Sequence, residues 1–328
     1  MSHKAGFVSI IGKPNVGKST LMNALVGEKL SIITPKAQTT RHRILGIVNE
    51  DDFQIVFSDT PGIIKPLYGL QDSMMNAVSG ALSDADLILF VTDIHEKHDE
   101  NDVLEKIINT QIPLVVLLNK IDNATQEQVD EKFAYWQEKL NPKHIYAISA
   151  LHKYNLEGIL PMILENIPEH PAYYDKEELT DRSQRFFVSE IIREKIFFNY
   201  KKEIPYSTEV IVTSFKEEES KGGPMVRITA EIVVERDSQK NILIGTGGAI
   251  RGITLAAFGL EKDIFIATSA LIDLGVDSSR AIVYILQGYF TQEHLILLPF
   301  FILIAIIGSY LGKKYLPTYQ RNTFTMWS

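Results

Sequence analysis

The sequence predicts an α/β domain with a mostly parallel sheet at the amino end, a shorter α+β segment after it, and a hydrophobic helical tail. Three observations carry this. A phosphate-binding loop sits between a buried strand and a helix. Apolar strand-like runs alternate with helical runs through the first half, and each strand ends in a polar motif. Beyond residue 251 the chain turns strongly apolar, with its few charges balanced.

Gly12, Lys13, Pro14, Asn15, Val16, Gly17, Lys18 and Ser19 fit G-x-x-x-x-G-K-[ST]. The run 7–11 before them reads as a buried strand, and the run from Thr20 to Val26 as a helix, which is the setting a true phosphate loop requires. Glycines let successive N–H groups converge on phosphate oxygens. The helix N-terminus adds its dipole. Lys18 reaches the β- and γ-phosphates, and the Ser19 hydroxyl ligates Mg²⁺.

Residues 34–43 read as a polar loop whose threonines can close over a γ-phosphate; Thr40 is the candidate Mg²⁺ ligand and catalytic group. Strands follow at 44–48 and 53–57, split by the turn 49–52. The second leads into Asp59-Thr60-Pro61-Gly62. Asp59 suits indirect Mg²⁺ ligation and the Gly62 N–H suits a γ-phosphate contact. A helix is expected at 72–83, a buried strand at 87–93, a helix at 102–110 and a strand at 113–118. That strand ends in Asn119-Lys120-Ile121-Asp122. The Asp122 carboxylate accepts from both N1–H and the exocyclic amine of guanine, a pair adenine does not offer. Lys120 lies along the ring and Asn119 ties loops together. The strand 145–151 supplies Ser149, Ala150 and Leu151, with backbone amides for the base oxygen. Lys18, Thr40 and Gly62 are the candidate catalytic residues.

Residues 168–182, with Pro168 and Pro171, read as a linker. Helix 183–199 turns Phe186, Phe187, Ile191, Ile192 and Ile196 inward, while Arg193 and Lys195 read as solvated charges. Strands at 209–215 and 225–235 flank a hairpin loop at 217–224. Gly245-Thr246-Gly247-Gly248 forms a G-x-x-G loop that can clamp a single-stranded nucleic-acid backbone.

Composition narrows the classes. The absence of cysteine among 328 residues excludes disulfides, thiolate metal sites and cysteine nucleophiles, and fits a reducing compartment. The start of the chain leads straight into the first strand, with no signal-peptide pattern. Net charge is −8, an unusual balance for a nucleic-acid binder. The run Leu295 to Gly312 is uncharged and is followed by Lys313-Lys314. At about 1.5 Å per residue it spans most of a bilayer's apolar core. Two candidate spans, 264–288 and 295–312, would return those lysines to the side of the first domain.

These residues carry a resemblance. From about residue 4 to 245 the chain resembles the Era family of bacterial GTPases, in the phosphate loop, in Gln38-Thr39-Thr40-Arg41-His42-Arg43, and in the segment from Tyr173-Tyr174 through Ser189-Glu190-Ile191-Ile192-Arg193-Glu194-Lys195 to Pro205-Tyr206-Ser207. The resemblance implies a P-loop GTPase domain over 1–168, a linker over 169–182 and a type II KH domain over 183–250. It implies hydrolysis of GTP to GDP, binding to the 3′ end of 16S rRNA, and a part in maturation of the small ribosomal subunit. The KH domain is incomplete, because its last helices and strand do not follow. Position 63 is Ile, which cannot orient water as a glutamine would. Resemblance to GTPases with an apolar residue there suggests a bound K⁺, with Asn15 as ligand. Residues 251–328 are similar to the carboxyl-terminal part of the TauE/SafE anion permeases, so the chain reads as a chimera. The expected ligands are GTP or GDP, Mg²⁺ and K⁺. The expected partners are the small ribosomal subunit and a membrane, with a cytoplasmic GTPase domain held at the inner membrane. The alternatives are a membrane-tethered GTP switch without RNA binding and a fusion with a non-functional anion-permease fragment.

Overall fold

The computed structural model describes residues 3–64, 69–96, 110–220 and 223–245. The expected helix at 102–110 falls almost entirely outside them. So do Thr246–Gly248 and the whole tail 251–328 with both candidate spans. Among the described residues, no helix is long and apolar enough to cross a membrane.

The first domain is a six-stranded sheet in the order β2-β3-β1-β4-β5-β6. Its strands are β1 (Lys4–Ile11), β2 (Ile44–Asn49), β3 (Phe53–Asp59), β4 (Leu87–Asp93), β5 (Leu114–Asn119) and β6 (His144–Ala147). All neighbouring pairs are parallel except β2 with β3. β4 is buried along nearly its whole length, as a central parallel strand covered on both faces must be. β1 lies between β3 and β4, so the chain leaves it in opposite directions. Ligands bind outside the carboxyl ends of strands at such a switch point, and the loop after β1 is the phosphate loop.

Helix α1 (Lys18–Val26) buries Lys18, Leu21, Met22 and Leu25, a single stripe at helical spacing. Helix α2 (Gly69–Ser83) likewise buries Gln71, Met74, Val78 and Ala81. Two further helices are absent from the sequence expectations, although the second buries Ile159, Met162 and Ile163. α3 (Gln126–Leu140) buries Trp136 alone, edge-on to Phe90 with ring centroids 5.2 Å apart, so it shows no apolar period. Its start is fixed instead by a capping box between Thr125 and Gln128. α4 (Ile159–Asn166) contains Pro161, tolerated because it lies in the first turn.

The second domain comprises α5 (Gln184–Asn199), the antiparallel hairpin β7 (Thr208–Ser220) and β8 (Gly223–Val234), and α6 (Asp237–Gly245). Ile196, Tyr200, Ile204, Val210 and Leu243 form its core. Three expectations need correction here. The strands run through most of 217–224, because pairing continues to Ser220 opposite Gly223. Ile191 is 43% exposed. The face of α5 that is buried carries Glu190, Arg193, Glu194, Ile196 and Phe197, so Arg193 is no solvated charge. The linker is also strapped down. Gln54, fully buried, donates to Tyr174 O at 2.8 Å and accepts from Tyr173 N and Tyr174 N at 2.7 and 3.0 Å.

Candidate functional site

Five loops at the carboxyl rim of the sheet enclose a cleft of about 450 Å³. Pro14, Asn15, Gly17, Lys18, Ser19 and Thr20 line it from the phosphate loop, and Thr39 and Thr40 from the next loop. Gly62 follows β3, Asn119, Lys120 and Asp122 follow β5, and Leu151 follows β6. Gly12, Lys13, Val16, Asp59, Thr60, Pro61, Ser149 and Ala150 belong to these loops or to their strand ends without appearing in the cleft wall.

Local chemistry shapes the phosphate side. Gly17 has φ 97°, and a Cβ there would sit 2.3 Å from Asn119 Nδ2. α1 begins at this glycine with no side-chain cap and no acid in its first turn, so its leading N–H groups are left for an anion. Lys18 Nζ donates to Lys13 O at 2.8 Å. Burial pulls Lys18 down to about 8, against the opposing carboxylates of Asp59 and Glu96. A phosphate beside it would raise this pKa again by favouring the cation.

Three oxygens define a cation position. Ser19 Oγ donates to Asp59 Oδ2 at 2.6 Å, and lies 3.0 Å from Thr40 Oγ1. Asp59 is fully buried, and its Oδ1 has no hydrogen-bond partner among the described residues. Burial pushes its carboxyl pKa up, opposed by the Ser19 hydroxyl, the Lys18 charge and the nearby Ser31 hydroxyl. A desolvated carboxylate with an orphaned oxygen beside two hydroxyls is an oxygen-rich set suited to Mg²⁺. Thr39 is differently engaged: its hydroxyl meets Thr34 Oγ1 at 2.6 Å and Lys36 O at 2.8 Å.

The base side is cross-braced. Asn119, 2% exposed, donates to Val16 O at 2.7 Å and accepts from Ala150 N at 2.9 Å, joining three loops. Lys120 stands in the left-handed region at φ 67° and pairs with Asp93 Oδ2 at 2.6 Å. Asp122 Oδ1 accepts from Ser149 Oγ at 2.5 Å. β6 ends at Ala147, so 148–151 is loop and not strand. The Ser149 amide donates to Tyr154 O at 3.2 Å. With the Ala150 amide held by Asn119, a base oxygen would compete with protein partners at both. Leu151 is 73% exposed.

After Asp59, Thr60 Oγ1 donates to Ile10 O at 2.8 Å, and Ile63 N donates to Gly12 O at 3.0 Å. A Cβ on Gly62 would lie 2.6 Å from Pro14 N, so only glycine brings this loop onto the phosphate loop. The Ile63 side chain is buried among Ile11, Val78, Ile88 and Phe90, turned from any water in the cleft. Of the G-x-x-G residues, Gly245 ends α6. Asp93 and Arg193 escaped the sequence reading. Asp93 could have been found as the register partner of Asn119; nothing local marks Arg193, whose target lies 154 residues away.

Comparisons with known proteins agree with this geometry. A family profile described as a 50S ribosome-binding GTPase matches residues 7–120. Over 248 residues the chain is 42% identical to GTPase Era of Staphylococcus haemolyticus, covering 75% of this chain and 82% of that one. It is 40% identical over 282 residues to a chloroplastic ERA-like GTPase of Oryza sativa, covering 84% of this chain and 66% of the rice protein. The chain therefore spans just under two thirds of that relative. A solved Era structure in complex with MgGDPNP and nucleotides 1506–1542 of 16S ribosomal RNA superposes with TM-score 0.70 at 36% identity, over 79% of this chain and 90% of the other. Aquifex aeolicus Era bound to GDP and AlF4⁻ does so equally, over 78% and 90%. The chain belongs to the Era family of GTPases, enzymes that hydrolyse GTP.

Proposed function

We propose that the cleft binds GTP with Mg²⁺ and hydrolyses it to GDP and phosphate, and that the second domain joins this cycle to the 3′ end of small-subunit rRNA during subunit maturation. The observation that carries the first part is the contact of Ser19, Asp59 and Thr40 beside the orphaned Asp59 oxygen. Lys18 and the leading amides of α1 hold the phosphates. Asp122 reads the guanine edge, and Lys120, braced by Asp93, lies along the ring. When bound, Mg²⁺ offsets negative charge on the β- and γ-phosphates. A water attacks the γ-phosphorus, the bond to the bridging β–γ oxygen breaks toward GDP, and the water's proton leaves with the phosphate.

No side chain at position 63 orients that water, so rate comes from electrostatics and positioning. K⁺ rests on the resemblance, with Asn15 as the ligand whose oxygen would turn from Ala37 N to the ion. The Asn15 amide lies against the 35–37 backbone, where the favoured orientation donates to Lys36 O at 2.8 Å and accepts from Ala37 N at 3.2 Å. Turnover in KCl should exceed that in NaCl by about tenfold; equal rates would remove K⁺ from the scheme.

For the RNA part, support comes from the Era structure holding 16S rRNA and from the helix–hairpin–helix leading into Gly245–Gly248. Filter binding of an RNA matching the 16S 3′ end, with a GTP analogue present, should show saturable binding. Failure to bind would leave a nucleotide switch alone. The uncharged run 295–312 supports a second reading, a cytoplasmic GTPase domain tethered to a membrane. Recovery wholly in the soluble fraction after a carbonate wash would reject it.

A further inference from the structure

Thr40 is gripped on both sides by the second domain. The carbonyl of Thr39 accepts from Arg193 Nη2 at 2.9 Å. Arg193 is 2% exposed, pairs through Nη1 with the buried Glu190, and stacks over the Phe197 ring at 5.7 Å. On the other side, Arg41 donates to Thr208 O at 2.8 Å, Pro205 O at 3.0 Å, Tyr206 O at 2.9 Å and Glu209 Oε2 at 3.1 Å. Between these two anchors the Thr40 hydroxyl rests 3.0 Å from Ser19 Oγ.

Resting on the GTP–Mg²⁺ reading above, we infer that Arg193 is a positioning residue for the hydrolytic site: the second domain sets the Thr40 hydroxyl on the cation position by holding the preceding carbonyl. Burying an ion pair is a poor route to stability, since desolvation cancels much of the attraction. The planar guanidinium does what an ammonium cannot, meeting the Glu190 carboxylate and the Thr39 carbonyl together in one fixed fork. Glu190 neutralises and orients Arg193, and Arg193 orients Thr40. Removing Arg193 leaves the loop held at the Ile33 amide, Lys36 and Arg41, and releases only the Thr39 carbonyl that sets Thr40.

The full chain tests this with fluorescent GDP and a non-hydrolysable GTP analogue in Mg²⁺. Thr40 belongs to the γ-phosphate side of the ion, so Arg193→Ala should lower analogue affinity about tenfold and leave GDP affinity within about twofold. Turnover should fall with it. Thr40→Ala should give the same pattern, and the double variant should lose no more than Thr40→Ala alone. Additive losses, or equal losses for GDP and the analogue, would overturn the inference. Arg193→Lys, checked by thermal melting, carries the same test if the alanine variant does not fold: it should show a smaller loss confined to the analogue. Wild-type protein that binds no GTP would sink the parent reading; wild-type hydrolysis with an additive cycle would sink the positioning role alone.

Discussion

The phosphate loop and the loop carrying Thr40 line the same cleft but are held by different parts of the molecule. The first is fixed from within its own domain, by Lys18 on Lys13 O, Asn119 on Val16 O and Ile63 on Gly12 O. The second is fixed largely from outside, by Arg193 on Thr39 O, by Glu194 on the Ile33 amide, by Lys36 on the Phe197 and Tyr200 carbonyls, and by Arg41 reaching residues 205–209. One side of the cleft is thus built into the sheet. The other depends on contacts from α5 and from residues 205–209. Phosphate grip and placement of Thr40 therefore rest on separate sets of contacts.

That contrast can be broken most forcefully at Lys18. Lys18→Ala should cut affinity for GDP and GTP together by roughly 10²–10³-fold, measured by titration calorimetry. Because burial already disfavours the Lys18 cation, the nucleotide-free variant should melt no lower than wild type; a lower melting temperature would show the lysine holding the fold as well. Next comes Asn119→Ala, which strands the buried Val16 carbonyl and Ala150 amide. It should cost about 2–3 kcal/mol in urea unfolding and lower GDP and analogue affinities in parallel. A loss confined to the analogue would erase the difference from Arg193. The smallest effect belongs to Thr125→Ala, which removes the capping box of α3, whose hydrogen bonds stay between Thr125 and Gln128. About 1 kcal/mol of stability should go, with nucleotide affinities unchanged.

The first domain was legible because its signals are local. The strand–loop–helix around 12–19, Asp59-Thr60-Pro61-Gly62 and Asn119–Asp122 each specify backbone shape and chemistry within a few residues. α3 was illegible because one buried tryptophan makes no period, and its cap needs the structure to be seen. α5 misled because its apolar spacing suggested one inward face, while its buried face holds Glu190, Arg193 and Glu194, whose partners belong to another domain. Residues 168–182 looked like a free linker because nothing in them announces that Gln54 binds their backbone.

By itself the sequence determined the parallel α/β domain, its phosphate loop and the order of polar motifs along the rim, because glycine placement, strand burial and helix starts are settled by near neighbours. Only the tertiary structure decided that the Thr40 loop is anchored by Arg41 to residues 205–209, that Asp59 Oδ1 has no partner among the described residues, and that Arg193 holds Thr39 across 154 residues of chain. Such contacts join segments far apart along the chain, and a chain read one residue after another carries no record of that distance.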